Sequence, residues 1–194
     1  MACVKRLCVY CGSSDRVAAA YREAASELGR TLAAAGIELV YGGGRIGLMG
    51  LAADAALAAG GRVTGIIPAH LHDREVGHHG VSELIVVGSM HERKRMMFER
   101  ADAFAILPGG LGTLDEAFEI ITWKQLGLHD KPIVVVDAAG YWQPLSALVE
   151  HIVGEGFASG RIRQLYRTVS DVPALLRALA ETGEPAVPPA PRLV

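Results

Sequence analysis

Residues 108–119 read Pro-Gly-Gly-Leu-Gly-Thr-Leu-Asp-Glu-Ala-Phe-Glu, directly after the apolar run Phe104-Ala105-Ile106-Leu107. This pattern predicts a buried strand, a glycine-rich turn and then a helix opened by Thr113. Such a turn leaves backbone N–H groups pointing outward at the positive end of a helix dipole, where a phosphate is the natural occupant. Glu116 and Glu119 follow within about one helical turn. A phosphate cradle with carboxylates beside it suggests chemistry on a phosphorylated small molecule. A second cluster, Gly42-Gly43-Gly44-Arg45-Ile46-Gly47-Leu48-Met49-Gly50, again follows an apolar run and again leads into a helix. Neither cluster ends in Gly-Lys-Ser/Thr, and neither has the spaced dinucleotide fingerprint.

The elements that must position these turns alternate along the chain. Strands are predicted at Arg6–Cys11, Glu38–Tyr41, Val63–Ile67, Leu84–Val87, Phe104–Leu107, Ile133–Val136 and, weakly, Tyr166–Val169. Helices are predicted at Val17–Ala34, Leu48–Ala59, Met90–Ala101, Thr113–Leu126, Gln143–Val153 and Val172–Glu181. Gly36, Gly60-Gly61 and Gly127 stand where helices should stop. Apolar strands with little alternation, separated by amphipathic helices, imply a parallel sheet covered on both faces. The expected architecture is therefore α/β: a Rossmann-like, doubly wound parallel sheet of about seven strands. Ligands in such folds sit beyond the C-terminal strand ends. Both glycine clusters and Cys11-Gly12-Ser13-Ser14 fall there. Residues 1–182 are expected to form one domain, and 183–194, with Pro185, Pro188, Pro189 and Pro191, a flexible tail.

Composition narrows the class. The 194 residues are 51% hydrophobic with a formal charge of −2, a pI near 6.4 and a mean hydropathy of +0.27. That balance argues against nucleic-acid or acidic-membrane partners. No apolar stretch approaches a membrane span, and Met1–Arg6 leads into no signal-peptide core, so a cytoplasmic protein is expected. Cys3, Cys8 and Cys11 are the only cysteines. Cys8 and Cys11 fall on opposite faces of the first strand and lack a second pair, so they are expected to pack rather than to bind zinc. His70, His72, His78 and His79 lie among Asp73, Arg74 and Glu75 without a helical ligand spacing. They suggest a mobile polar loop over the site rather than a metal centre, and no metal ligand is assigned.

The motifs taken together resemble the LONELY GUY family. The resemblance is carried by Cys11-Gly12-Ser13-Ser14, by Gly42–Gly50, by Met90-His91-Glu92-Arg93-Lys94 and by Pro108–Glu116, and it runs from about Arg6 to about Val169. It implies cytokinin riboside 5′-monophosphate phosphoribohydrolases, often mislabelled lysine decarboxylases. The implied reaction is hydrolysis of the N-glycosidic bond of an N6-modified adenosine 5′-monophosphate, with no cofactor. It implies catalytic roles for Arg93 and Glu116, and a 5′-phosphate held by Gly109, Gly110, Gly112 and Thr113. Ser13, Gly43, Gly44, Met90, Lys94 and Glu119 are expected to complete the substrate site. A homodimer is implied as well, with Phe98, Phe118, Ile121 and Trp123 as candidate contacts.

The residues themselves leave alternatives open. A carboxylate can stabilise an oxocarbenium-like transition state or activate water. Arg93 could hold phosphate, orient Glu116 or stabilise the departing base. Thr113-Leu114-Asp115-Glu116 also spells a capping box, in which Glu116 merely satisfies a backbone N–H. Two other functions compete: a nucleotide-binding module without turnover, and a pyridoxal phosphate decarboxylase, for which Lys94 and Lys124 are the lysines nearest the motifs.

Overall fold

The apolar runs become the seven strands of one sheet in a computed structural model that describes residues 4–72 and 77–181. They are β1 (Arg6–Tyr10), β2 (Glu38–Tyr41), β3 (Val63–Pro68), β4 (Glu83–Val87), β5 (Ala103–Ile106), β6 (Ile133–Val136) and β7 (Arg167–Val169). The helices are α1 (Ala19–Ala34), α2 (Gly47–Ala58), α3 (Ala69–His72), α4 (Met90–Arg100), α5 (Leu111–Gln125), α6 (Gln143–Gly154) and α7 (Val172–Glu181). Every strand pairing is parallel, in the order β4-β3-β2-β1-β5-β6-β7. The doubly wound reading therefore holds. Cys3, the Asp73-Arg74-Glu75 segment and the proline-rich tail lie outside the described residues.

The strands lack polar alternation because both faces are covered. Leu7 and Val9 join a core with α1, α2 and α7, whereas Cys8 and Tyr10 point into a second core with α4, α5 and α6. Cys11, just past β1, belongs to the first core, so the two cysteines do pack on opposite sides. Helix α1 buries Ala25, Leu28, Gly29 and Leu32, the spacing of one amphipathic stripe.

The strand order reverses between β1 and β5, and the loops that leave these two strands open the crevice of the fold. Gly12 ties this region together. Its N–H donates to Pro108 O at 3.0 Å, and its carbonyl accepts from Leu48 N at 3.0 Å.

Some boundaries differ from expectation. Helix α5 starts at Leu111, not Thr113, and α3 was not anticipated. The candidate dimer contacts are largely engaged inside the chain. Ile121 is buried. Phe98 stacks with Phe104 at 5.8 Å and meets Trp123 edge-on at 5.1 Å. Of those four residues only Phe118 is exposed.

Candidate active site

Helix α5 begins on an extended Gly110 (φ −92°, ψ −156°), and no side chain caps it. The first N–H groups of any helix lack intrahelical partners. Here they sit on Gly110, Leu111 and Gly112, all exposed, with Leu111 at 85%. Thr113 is buried and folds back over Gly109; a Cβ on Gly109 would lie 2.1 Å from its Oγ1. Uncapped donors at a positive helix end suit an anion.

This start overturns the capping-box reading of Glu116. With Gly110 as the cap, Thr113 is the third residue of the helix and Glu116 lies deeper, accepting no cap hydrogen bond. Glycine takes the extended cap conformation without a hydroxyl, so Thr113 is freed from that task. The same Ser/Thr-x-x-Glu spacing is used as a cap one helix earlier. Ser89 Oγ accepts from Glu92 N at 3.1 Å, and Glu92 Oε2 accepts from Gly88 N at 2.8 Å.

Glu116 is 9% exposed, and no group among the described residues donates to its carboxylate. Burial pushes its pKa from 4.5 up to about 7; Arg93 and Lys94 pull it down, while Asp115 and Glu119 add to the rise. A carboxyl poised there can take and return a proton near neutral pH.

Arg93 is 6% exposed. Its guanidinium is held by main-chain carbonyls at the C-terminal ends of β2 and β3. Nη2 donates to Gly42 O at 2.8 Å, and Nε donates to Ile66 O at 3.2 Å. Nη1 lies 3.8 Å from Met90 Sδ. A Cβ on Gly42 would fall 1.9 Å from Nη2, so glycine there is what admits the guanidinium. Among the described residues no carboxylate pairs with Arg93, which leaves its charge directed at its surroundings, Glu116 included.

Lys94, the next residue, crosses to the neighbouring helix. Its Nζ pairs with Asp115 Oδ2 at 3.2 Å and Glu119 Oε1 at 3.1 Å. Burial disfavours its charge, but the Glu119 and Asp115 carboxylates more than compensate and raise its pKa. Lys94 and Glu119 thus strap α4, which carries Arg93, to α5, which carries Glu116. A Schiff base needs a free neutral amine, and Lys94 does not fit that role. Lys124 sits near the far end of α5 and donates to Lys131 O at 3.0 Å. The lysines therefore do not fit a pyridoxal phosphate site.

The second glycine cluster faces inward. Gly43 O accepts from His78 N at 3.0 Å, and Gly44 pairs with Gly77 in an isolated antiparallel bridge. Ser13 is exposed on the β1 loop, beside Gly47. His78, expected in a mobile loop, is instead buried. Its Nδ1 accepts from Gly80 N at 3.2 Å, so Nε2 carries the proton and donates to Asp54 Oδ1 at 2.8 Å. Burial raises the Cys8 and Cys11 thiols well above their usual range, as packing residues require.

One residue at the site escaped sequence reasoning. Tyr141, after β6, donates from Oη to Gly109 O at 2.6 Å. Its only sequence signal was its place on the connection that leaves the C-terminal end of β6.

A doubly wound sheet with an uncapped helix start, a buried carboxyl on that helix and a buried guanidinium on the helix before it defines an α/β protein of the Rossmann-like class. The chain belongs to the LONELY GUY family, whose model, described as "Possible lysine decarboxylase", matches residues 49–179. It is 48% identical over 177 residues to a probable cytokinin riboside 5′-monophosphate phosphoribohydrolase, LOGL9, of Oryza sativa subsp. japonica, covering 91% of this chain and 78% of that one. It is 44% identical over 177 residues to the cytokinin riboside 5′-monophosphate phosphoribohydrolase LOG1 of Arabidopsis thaliana, covering 91% and 83%. Among solved structures, a molybdenum cofactor carrier protein from Chlamydomonas reinhardtii superposes with a TM-score of 0.69 at 22% identity, over 91% of this chain and 96% of that one. That last likeness concerns the fold alone.

Proposed function

We propose that this chain hydrolyses the N-glycosidic bond of N6-modified adenosine 5′-monophosphates, and of AMP, releasing the free base and ribose 5-phosphate. One observation carries the reading: a buried carboxyl with its pKa raised to about 7 lies on the helix whose uncapped start can receive a phosphate. The names of the relatives support the same substrate class.

In this scheme the 5′-phosphate rests on the N–H groups of Gly110, Leu111, Gly112 and Thr113, with Gly109 giving room for the Thr113 side chain. The ribose then extends along α5 toward Glu116. As the C1′–N9 bond breaks, its electron pair leaves with the base and C1′ becomes cationic. Ionised Glu116 stabilises that charge and takes a proton from the attacking water, whose oxygen bonds to C1′. The proton that Glu116 takes is passed on to the departing base, so Glu116 returns to its ionised form and the reaction consumes water alone. Arg93 keeps Glu116 partly ionised at neutral pH. Phosphate binding positions the ribose, so the unphosphorylated riboside should be a poor substrate.

The two described thiols, Cys8 and Cys11, are free, which fits a reducing, cytoplasmic setting. We also assign a homodimer, on the exposed apolar side chains Leu111, Phe118 and Leu126 along α5. Incubation of the purified protein with AMP and with isopentenyladenosine monophosphate tests the function. Free base and ribose 5-phosphate are expected in equal amounts. Binding of either nucleotide without turnover would instead mark a sensing module.

A further inference from the structure

The phosphate cradle has an outside support that the reaction scheme does not use. The Tyr141 hydroxyl donates to Gly109 O at 2.6 Å. A trans peptide is planar, with its C=O and N–H pointing in opposite directions, and no described peptide is cis. Holding the Gly109 carbonyl therefore also fixes the direction of the Gly110 N–H, away from Tyr141. Gly110 is the cap of α5 and lacks any side-chain cap. Without that hydroxyl, a peptide between two glycines is among the freest in a chain.

Tyr141 is itself held firmly. Its ring meets Tyr21 of α1 edge-on at 5.3 Å, and the neighbouring Trp142 at 4.8 Å. The turn that presents it is tightly built. Asp137 Oδ1 accepts from Trp142 N at 2.6 Å, and Tyr141 N donates to Ala138 O at 3.2 Å. Within that turn Ala139 adopts φ 51°, ψ 30°, a left-handed conformation that is costly for a residue with a Cβ. It is the only non-glycine residue with positive φ among those described. Such strain persists where its surroundings over-determine it, often around functional sites.

We propose that Tyr141 is a positioning residue for the 5′-phosphate: its grip on the Gly109 carbonyl aims the Gly110 N–H at the anion. This rests on the phosphoribohydrolase reading for the identity of that anion. It adds a residue, from a strand end two strands removed from β1, to a cradle otherwise built by one turn.

Tyr141→Phe isolates the hydroxyl, because the ring and its two edge contacts remain. Three quantities are read for the parent and the variant: steady-state kcat and KM with AMP, the Kd of ribose 5-phosphate by calorimetry, and the melting temperature. The expected result is a KM and a Kd raised roughly 5- to 10-fold, the scale of one lost hydrogen bond in binding. The kcat should stay within about twofold, and Tm nearly unchanged. Unchanged KM and Kd overturn the inference. So does a fall in kcat or Tm without weaker phosphate binding, which marks a structural role only. A parent protein that binds ribose 5-phosphate but releases no base from AMP defeats the proposed function. The Kd comparison still decides the role of Tyr141.

Discussion

The two glycine-rich turns have similar composition and opposite uses. The turn after β2 presents carbonyls inward: Gly42 O receives the Arg93 guanidinium, and Gly43 O receives the His78 N–H. The turn after β5 presents N–H groups outward at the uncapped start of α5. One turn therefore fixes the cation of the site, and the other offers uncapped donors of the kind that suit an anion. Glycine serves both because it lets a backbone dipole come close from either end. Which end faces the site follows from the path of the chain and cannot be read from the glycines themselves.

The largest expected effects test the pair that the two turns bring together. Glu116→Gln should lower kcat roughly 10²-fold or more, the scale of losing a positioned general base. Since Glu116 accepts no cap hydrogen bond, the amide has no structural task to inherit. Near-normal turnover would remove Glu116 from the mechanism and make Glu119 the next candidate. Arg93→Ala should cost a comparable factor. In its residual activity, the rising limb of the pH–rate profile, set in the parent by a Glu116 pKa of about 7, should move to higher pH, because the main opposing charge is gone.

Stability should carry the same signature. The folded chain holds the Glu116 proton more tightly than the unfolded chain does. That contribution is complete below pH 4.5 and is lost as pH rises through about 7. The loss is about 3 kcal/mol. Denaturation at a series of pH values should show it in the parent and not in Glu116→Gln.

Smaller effects separate the turns themselves. Gly42→Ala keeps Arg93 in the sequence but drives a Cβ into its Nη2. Turnover should fall roughly 10- to 100-fold, as for a misplaced catalytic group. If kcat is retained, the carbonyl grip on Arg93 is unimportant. In the other turn, adjacent glycines should behave differently. Gly109→Ala collides with Thr113 and should raise KM roughly 10-fold. At Gly110 a Cβ meets nothing within 4 Å, so Gly110→Ala should change KM less than about threefold, its cost confined to a poorer N-cap. Equal effects at both positions would contradict the cradle geometry.

The fold was legible because its signals are local. Unalternating apolar runs such as Ile133–Val136, and glycines after helices, mark a covered parallel sheet without knowledge of any contact. The types of the site residues were legible from their motifs. Their partners were not. Arg93 binds carbonyls 27 and 51 residues away, and Tyr141 reaches back 32 residues to Gly109. Main-chain acceptors leave no mark in side-chain identity. The start of α5 was misplaced for a related reason. Both Ser89–Glu92 and Thr113–Glu116 spell a cap, and only the backbone path decides which one serves. His78 does lie in the loop before β4, but its burial was not legible because its partner, Asp54, lies on another element.

The grip on Arg93 has a consequence for how this protein can drift. A cation held by a carboxylate ties two side chains together, so that losing either requires a compensating change. Here the acceptors are the carbonyls of Ile66 and Gly42, which every amino acid carries. Residue 66 is thus free to vary among apolar types that fit its core without disturbing the guanidinium. Residue 42 is pinned to the one amino acid that leaves room for it. A sequence wandering under selection for this chemistry would hold Arg93 and Gly42 fixed and let the surroundings change.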